Sequence, residues 1–412
     1  HLQAPKEVTK LTSTVEIFKP KKNGDNQNYP RRILVSGRPG IGKTMLTKKL
    51  LHQWVEIKDE FWREKIVILV RLRALNNKEV TLREMLGYGE GLSPDDFESI
   101  YNSILLHPAK TVLIFDGLDE LDVTDNLLDN KINANQSPNE KMAAFTILRQ
   151  LFRRNFLPDV TVLITSRPTA NNVLQYLKFE KTVEILGFFK EQIKKYVFKF
   201  CKEDSDTAEL IWNRIQESAE LLSLCYIPVN SYIVCLTLKE SIENDQSNDI
   251  PETITELYKR ALKVLIYRHH PIYKSKPKRN DYLIIDFPED LENDFSKLKE
   301  VAKFGIEEGR LIFERTTQDE FGDLANCGLF QKLPGKQRNY FCFSHLTLQE
   351  FLAASKVVDD MDNVEEFLAT HISDPKWYLV IQFVFGLVGD KIKETEGHLS
   401  RKWQRILGDV QK

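Results

Sequence analysis

The segment GRPGIGKT at residues 37–44 lies between an apolar, β-rich run at 33–36 and a helical pattern opening at Lys43. Its glycines let the backbone curl until successive N–H groups face one point. The helix that follows adds the positive end of its dipole there. A turn of this kind cradles phosphates, and its strand-before, helix-after setting separates it from an ordinary Gly-rich cap. Gly37, Arg38, Pro39, Gly40, Ile41, Gly42, Lys43, Thr44 and Met45 are therefore candidate nucleotide contacts. Lys43 is placed to reach β- and γ-phosphates, and the Thr44 hydroxyl to ligate Mg²⁺.

Such a loop needs a parallel sheet, and the flanking sequence supplies one. Short β-rich runs at 33–36, 66–72, 111–115, 160–165 and 183–186 alternate with helical patterns, as crossover connections require. Runs such as KIVILVRL and TVLIF carry the near-continuous Val, Ile and Leu of strands buried on both faces. After Gly187 the β-rich runs give way to helical periodicity, in EQIKKYVFKFC and AELIWNRIQESAELLSLC for example. The expected fold is α/β: a five-stranded parallel core followed by an all-α segment.

Two further motifs fall at strand ends. In LIFDGLDE at 113–120, Asp116 ends an apolar strand at the carboxyl edge, where open α/β sheets bind ligands, and is placed to hold Mg²⁺ through water. Many phosphate-loop ATPases put a water-polarising acid directly after that aspartate. Here the position is Gly117, which leaves the task to Asp119 or Glu120 and predicts slow hydrolysis, because positioning dominates phosphoryl transfer. A third strand ends in TSRP at 165–168, and the planar guanidinium of Arg167 suits recognition of a γ-phosphate.

Composition narrows the partners. At 412 residues with a formal charge of −2, the chain has room for several domains and lacks the basic excess of a nucleic-acid binder. Five cysteines without a CxxC pair form no disulfide framework and point to a reducing cytosol. The most apolar stretch, 378–388, is interrupted by Gln382 and Gly386 and reads as a buried helix rather than a membrane span. The first residue is His1 and no basic, apolar leader follows, so flanking domains are expected outside this piece. Turn-rich segments at 21–28, 126–141, 243–249, 273–281 and 335–339 read as linkers or surface loops, and the basic run at 274–279 as an inert one. The adjacent His269 and His270 face different ways on a helix and make no metal site. No period of 20–50 residues recurs.

Taken together, GRPGIGKT, VLIFDGLDE and VLITSRP resemble the NACHT ATPase domain of NOD-like receptors, a branch of the STAND, AAA-like P-loop NTPases. LCYIPVNSYIVC and FSHLTLQEFLAA resemble that family's helical-domain and winged-helix-end motifs. The resemblance implies a linker at 1–30, a nucleotide-binding domain at 31–186, a first helical domain at 187–250, a winged helix at 251–340 and the start of a second helical domain from 341. It further implies that Pro228 packs on the adenine and that His345 hydrogen-bonds the β-phosphate. The residues alone would make Pro228 a helix breaker and His345 a capping histidine. The implied function is an ATP/ADP signalling switch of innate immunity, a weak ATPase in the cytoplasm, closed with ADP and homo-oligomeric with ATP. A STAND ATPase regulating transcription or another non-immune assembly is the alternative, and the balanced to acidic charge of residues 295–330 weighs against the transcriptional role.

Overall fold

The computed structural model describes residues 10–20, 29–76, 78–121, 123, 136–202, 204–243, 251, 253–269, 289–309, 313–314, 329–332, 340–343, 345–360 and 363–394. The loops expected at 21–28, 273–281 and 335–339, the basic run at 274–279, and most of those at 126–141 and 243–249 lie outside these. Two compact units divide the chain, His1–Leu186 and Gly187–Lys412.

In the first unit, the strands β1 (Arg32–Ser36), β2 (Ile66–Arg71), β4 (Thr111–Asp116), β6 (Thr161–Ser166) and β7 (Lys181–Glu184) form one five-stranded sheet in the order β2-β4-β6-β1-β7. Every pairing in it is parallel. A two-stranded antiparallel ribbon of β3 (Glu79–Val80) and β5 (Met142–Ala143) stands beside it. Alternate side chains of each strand enter different cores, which is why the sequence reads as continuously apolar. Val112 and Ile114 join Leu50 of α1 (Lys43–Val55), Trp62 and Phe18 on one face. Leu113 and Phe115 join α2 (Leu82–Gly87), α3 (Pro94–Leu106) and the helix Ala144–Phe152 on the other.

Two expectations are corrected. The run expected at 183–186 pairs instead as Lys181–Glu184, and Leu186 is half exposed. Lys181 belongs in the strand because its buried amine donates to the carbonyls of Glu16 at 2.6 Å and Lys19 at 2.7 Å. Those carbonyls lie in the segment read as a linker. It forms a short 3₁₀ helix, Thr14–Phe18, opened by a Ser13–Glu16 capping box, and buries Val15, Ile17 and Phe18 in the sheet's core.

The second unit is built around one apolar core of helices, among them Lys190–Cys201, Ser205–Glu217, Pro228–Glu243, Ile254–His269, Glu289–Glu307 and Leu346–Asp359. It also holds a three-stranded sheet in the order β8-β10-β9, with β8 at Phe313–Glu314, β9 at Phe330–Lys332 and β10 at Tyr340–Phe343. The apolar stretch near 380 lies in the helix Tyr378–Glu394, with Val380, Phe383 and Val384 fully buried. Among the described residues, no helix is long and apolar enough to cross a membrane. Cys201, Cys225 and Cys235 are free and buried, and Cys342 is buried.

Candidate phosphate-binding site

Strand register assembles the site. Phe115 lies opposite Ile164 and Val35 opposite Thr165, so the ends of β4, β6 and β1 meet at the carboxyl edge of the sheet. The chain leaves β1 with the Gly37 amide donating to the Ser166 carbonyl at 3.2 Å. Gly40 (φ 68°) and Gly42 (φ 108°) then take left-handed conformations, the second as the N-cap of α1. A Cβ on Gly37 would stand 2.7 Å from the Ile41 side chain, so that turn is closed to larger residues. Ile41 is the loop's apolar anchor at 3% exposure, while Arg38, Thr44 and Met45 are exposed.

Polar side chains interlock behind the loop. The Lys43 amine donates to the carbonyls of Gly37 at 2.8 Å and Arg38 at 3.3 Å. Burial lowers its pKa, with Asp119 opposing. Asp116 accepts from the Thr44 hydroxyl at 2.7 Å through one carboxylate oxygen and from the Thr165 hydroxyl at 2.6 Å through the other. Thr165 in turn accepts from the Gly117 amide at 2.9 Å. Arg167 is held twice by Asp119, its amide donating to one oxygen at 2.9 Å and its Nε facing the other at 2.9 Å.

Gly117 sits at φ 85°, and a Cβ there would come 2.9 Å from the carboxyl carbon of Glu120. Glu120 thus folds back over the position that directly follows Asp116. Burial pushes its carboxyl up to about 7, against the pull of Arg73 and with Asp119 and Asp116 adding to the rise. Near neutrality it is divided between acid and carboxylate, which suits a group that takes a proton from water.

That shift carries a stability signature. Between pH 4.5 and about 7 the unfolded carboxyl is ionised while the folded one stays protonated, so stability falls as pH rises through that window. The loss amounts to roughly 3 kcal/mol above it. Glu120→Gln should therefore raise the melting temperature of nucleotide- and Mg²⁺-free protein more at pH 8 than at pH 5. An equal effect at both values would show that Glu120 is not buried as described.

Sequence reasoning gave no role to Thr165 or Arg73. Thr165 lies within TSRP with no signal of its own, and Arg73 has no motif around it. Pro228 and His345 belong to the second unit. Pro228 opens the helix Pro228–Glu243, where a proline is tolerated at the first position, rather than breaking one. His345 is the exposed N-cap residue of Leu346–Asp359, makes no side-chain cap bond, and has its ring 6.4 Å from that of Tyr232.

The loop, the Asp116 carboxylate with its hydroxyl partners and the arginine after β6 recur together at 31–204, which match the NACHT domain. Residues 31–204 thus carry a NACHT domain, 174 of the chain's 412 residues. Beyond the NACHT domain it is similar to Protein NLRC5 of Ictalurus punctatus, 28% identical over 361 residues, 82% of this chain and 20% of that protein. It is also 27% identical over 420 residues to NACHT, LRR and PYD domains-containing protein 3 of Mus musculus, 94% of this chain and 38% of that one. The chain thus spans 20% to 38% of these relatives' length. Among solved structures it resembles a STAND protein with a tetratricopeptide repeat sensor from Pyrococcus horikoshii, at 13% identity and a TM-score of 0.36, covering 92% of this chain and 47% of that one.

Proposed function

We propose that the chain is the nucleotide-operated part of a NOD-like-receptor switch, cytoplasmic and working in innate immunity, closed with ADP and open and self-associating with ATP. The observation that carries the reading is the pair of contacts Thr44–Asp116 and Arg167–Asp119, which tie phosphate loop, acidic strand end and arginine into one polar cluster.

The residue set fits a Mg²⁺-nucleotide. Lys43 is bonded to its own loop's carbonyls, bonds that a phosphate can replace, and Thr44 and Asp116 are oxygen donors of the kind Mg²⁺ takes. The bound ion would neutralise phosphate charge. Lys43 and the loop amides would hold the phosphates, Glu120 would receive the proton of the attacking water, and Asp119 would keep Arg167 oriented until a γ-phosphate competes for it. A base reaching back from a turn is held less firmly than one on a strand, so hydrolysis is slow and serves as a timer. Pro228 on the base and His345 on the β-phosphate would extend the contacts to the helical and winged-helix domains, as the family resemblance implies.

The magnitudes are adequate. Inverting a 1:99 population needs about 5.5 kcal/mol of differential binding, and charged hydrogen bonds supply about 1.5–3 kcal/mol each. Two or three contacts specific to one nucleotide state suffice. The test is the nucleotide that co-purifies with the protein, with the protein's mass in ADP and in a nonhydrolysable ATP analogue. Arg167→Gln should weaken that analogue by roughly 10- to 100-fold and leave ADP within about threefold. Equal loss of both would remove Arg167 from γ-phosphate reading.

A further inference from the structure

A cleft of about 530 Å³ opens in the first unit at the opposite edge of the sheet from the phosphate loop, where Arg31 precedes β1, Lys65 precedes β2 and Thr161 begins β6. β1 is five residues long, which at 3.3 Å per residue sets the cleft roughly 15 Å from that loop. A nucleotide gripped by Lys43 does not fill it.

The charges lining it are unevenly answered. Glu60 is engaged by Arg63 at 2.9 Å, and Asp59 accepts from the Phe61 amide at 2.9 Å and faces the Lys19 amine at 3.8 Å. Lys65 reaches only the Ala109 carbonyl, at 3.4 Å, and the Phe61 ring, 5.4 Å from its centroid. The Arg31 guanidinium donates to the Asp159 carbonyl. The Arg31 amide donates to the Glu180 carboxylate at 2.7 Å, but among the described residues neither the Lys65 amine nor the Arg31 guanidinium is in an ion pair with a carboxylate. Burial, and after it the positive charge of Arg31 and of Lys110, lower the Lys65 pKa. Phe61, stacked on Phe18 with centroids 5.0 Å apart, and the exposed ring of Tyr29 add an aromatic wall.

We propose that this cleft is a second ligand site, taking a small molecule that carries a phosphate or carboxylate on a flat aromatic ring. The anion accepts from Lys65 and Arg31 while the ring lies against Phe61 and Tyr29, supplying the charge that the fold leaves unanswered. The volume falls within that of small-molecule pockets, which run from about 300 to 1,000 Å³, and a concave site of that size suits a compact ligand better than an extended peptide.

Calorimetry with phenyl phosphate tests this, run on protein saturated with ADP and Mg²⁺ and separately on Lys43→Met, so that failure of the nucleotide reading leaves the result interpretable. One site is expected, at least about 10-fold tighter for phenyl phosphate than for inorganic phosphate, and weakened about 10-fold or more by Lys65→Gln or Arg31→Gln. If Lys65→Gln melts early, protection of Lys65 from acetylation by phenyl phosphate in the unmodified protein gives the same readout. No binding, equal binding of inorganic phosphate, or affinity unchanged in both variants would overturn the site.

Discussion

Lys43→Met is expected to weaken both ADP and ATP by at least about 100-fold while leaving the protein folded. The ammonium is the less exposed of the phosphate loop's two positive charges, Arg38 being exposed, and it stands near Asp119, Glu120 and Asp116. Two charged hydrogen bonds to phosphate at about 1.5–3 kcal/mol each give 3–6 kcal/mol, or 100- to 10,000-fold in affinity. The acidic neighbours enlarge the effect, since without the amine they face the phosphates alone. Folding should survive because burial disfavours the charged amine, whose bonds among the described residues run to carbonyls of its own turn. Calorimetry with each nucleotide checks the first half and a thermal melt the second. A folded variant that keeps ADP affinity within threefold would show that the loop does not grip phosphate.

Four strands of the main sheet, β1, β2, β4 and β6, were legible because each carries four or more consecutive buried residues, a pattern of length and composition that needs no partner to be seen; the edge strand β7 buries only Lys181 and was misplaced. Glu79–Val80 and Met142–Ala143 were not legible, since two residues hold no periodicity and their pairing joins positions more than 60 apart. Lys181 misled for a different reason. A lysine counts as a surface residue until the carbonyls that receive its amine are known, and those come from residues 16 and 19. The same bonds explain how the segment before the phosphate loop, rich in Thr and Lys, belongs to a core.

Lys43, Thr44 and Asp116 could be named from spacing because strand-to-loop transitions fix where their side chains start. The sequence left Asp119 and Glu120 interchangeable, and only the turn separates them. Gly117 at φ 85° sends the chain so that Asp119 faces Arg167 and Glu120 folds back beside Asp116. Thr165 was invisible because its role depends on β4 and β6 lying side by side, a fact of register rather than of motif. The vacant acid position after Asp116 and the downstream glutamate are thus one feature: a side chain at 117 would collide with the carboxyl that takes its place.

Trp62→Ala should destabilise the first unit by about 3–5 kcal/mol, whereas Trp62→Phe should cost much less. Trp62 is 1% exposed and sits edge-on to Phe18 and Phe61, with centroids 5.4 and 4.9 Å away, sealing the core that contains Ile33 and Val35 of β1. Alanine would leave a cavity beneath the strand that carries the phosphate loop and remove an anchor of the Thr14–Phe18 segment. Phenylalanine keeps most of the aromatic volume and discards the indole N–H, which is buried without a hydrogen-bond partner among the described residues. An unmet donor costs about 1–3 kcal/mol, enough to offset much of the volume lost. Denaturant melts of the two variants, with hydrogen exchange of the β1 amides as the local readout, separate the effects. Equal losses for Ala and Phe would mean that the indole is bonded after all. No loss for Ala would detach the Thr14–Phe18 segment from the fold of the nucleotide-binding unit.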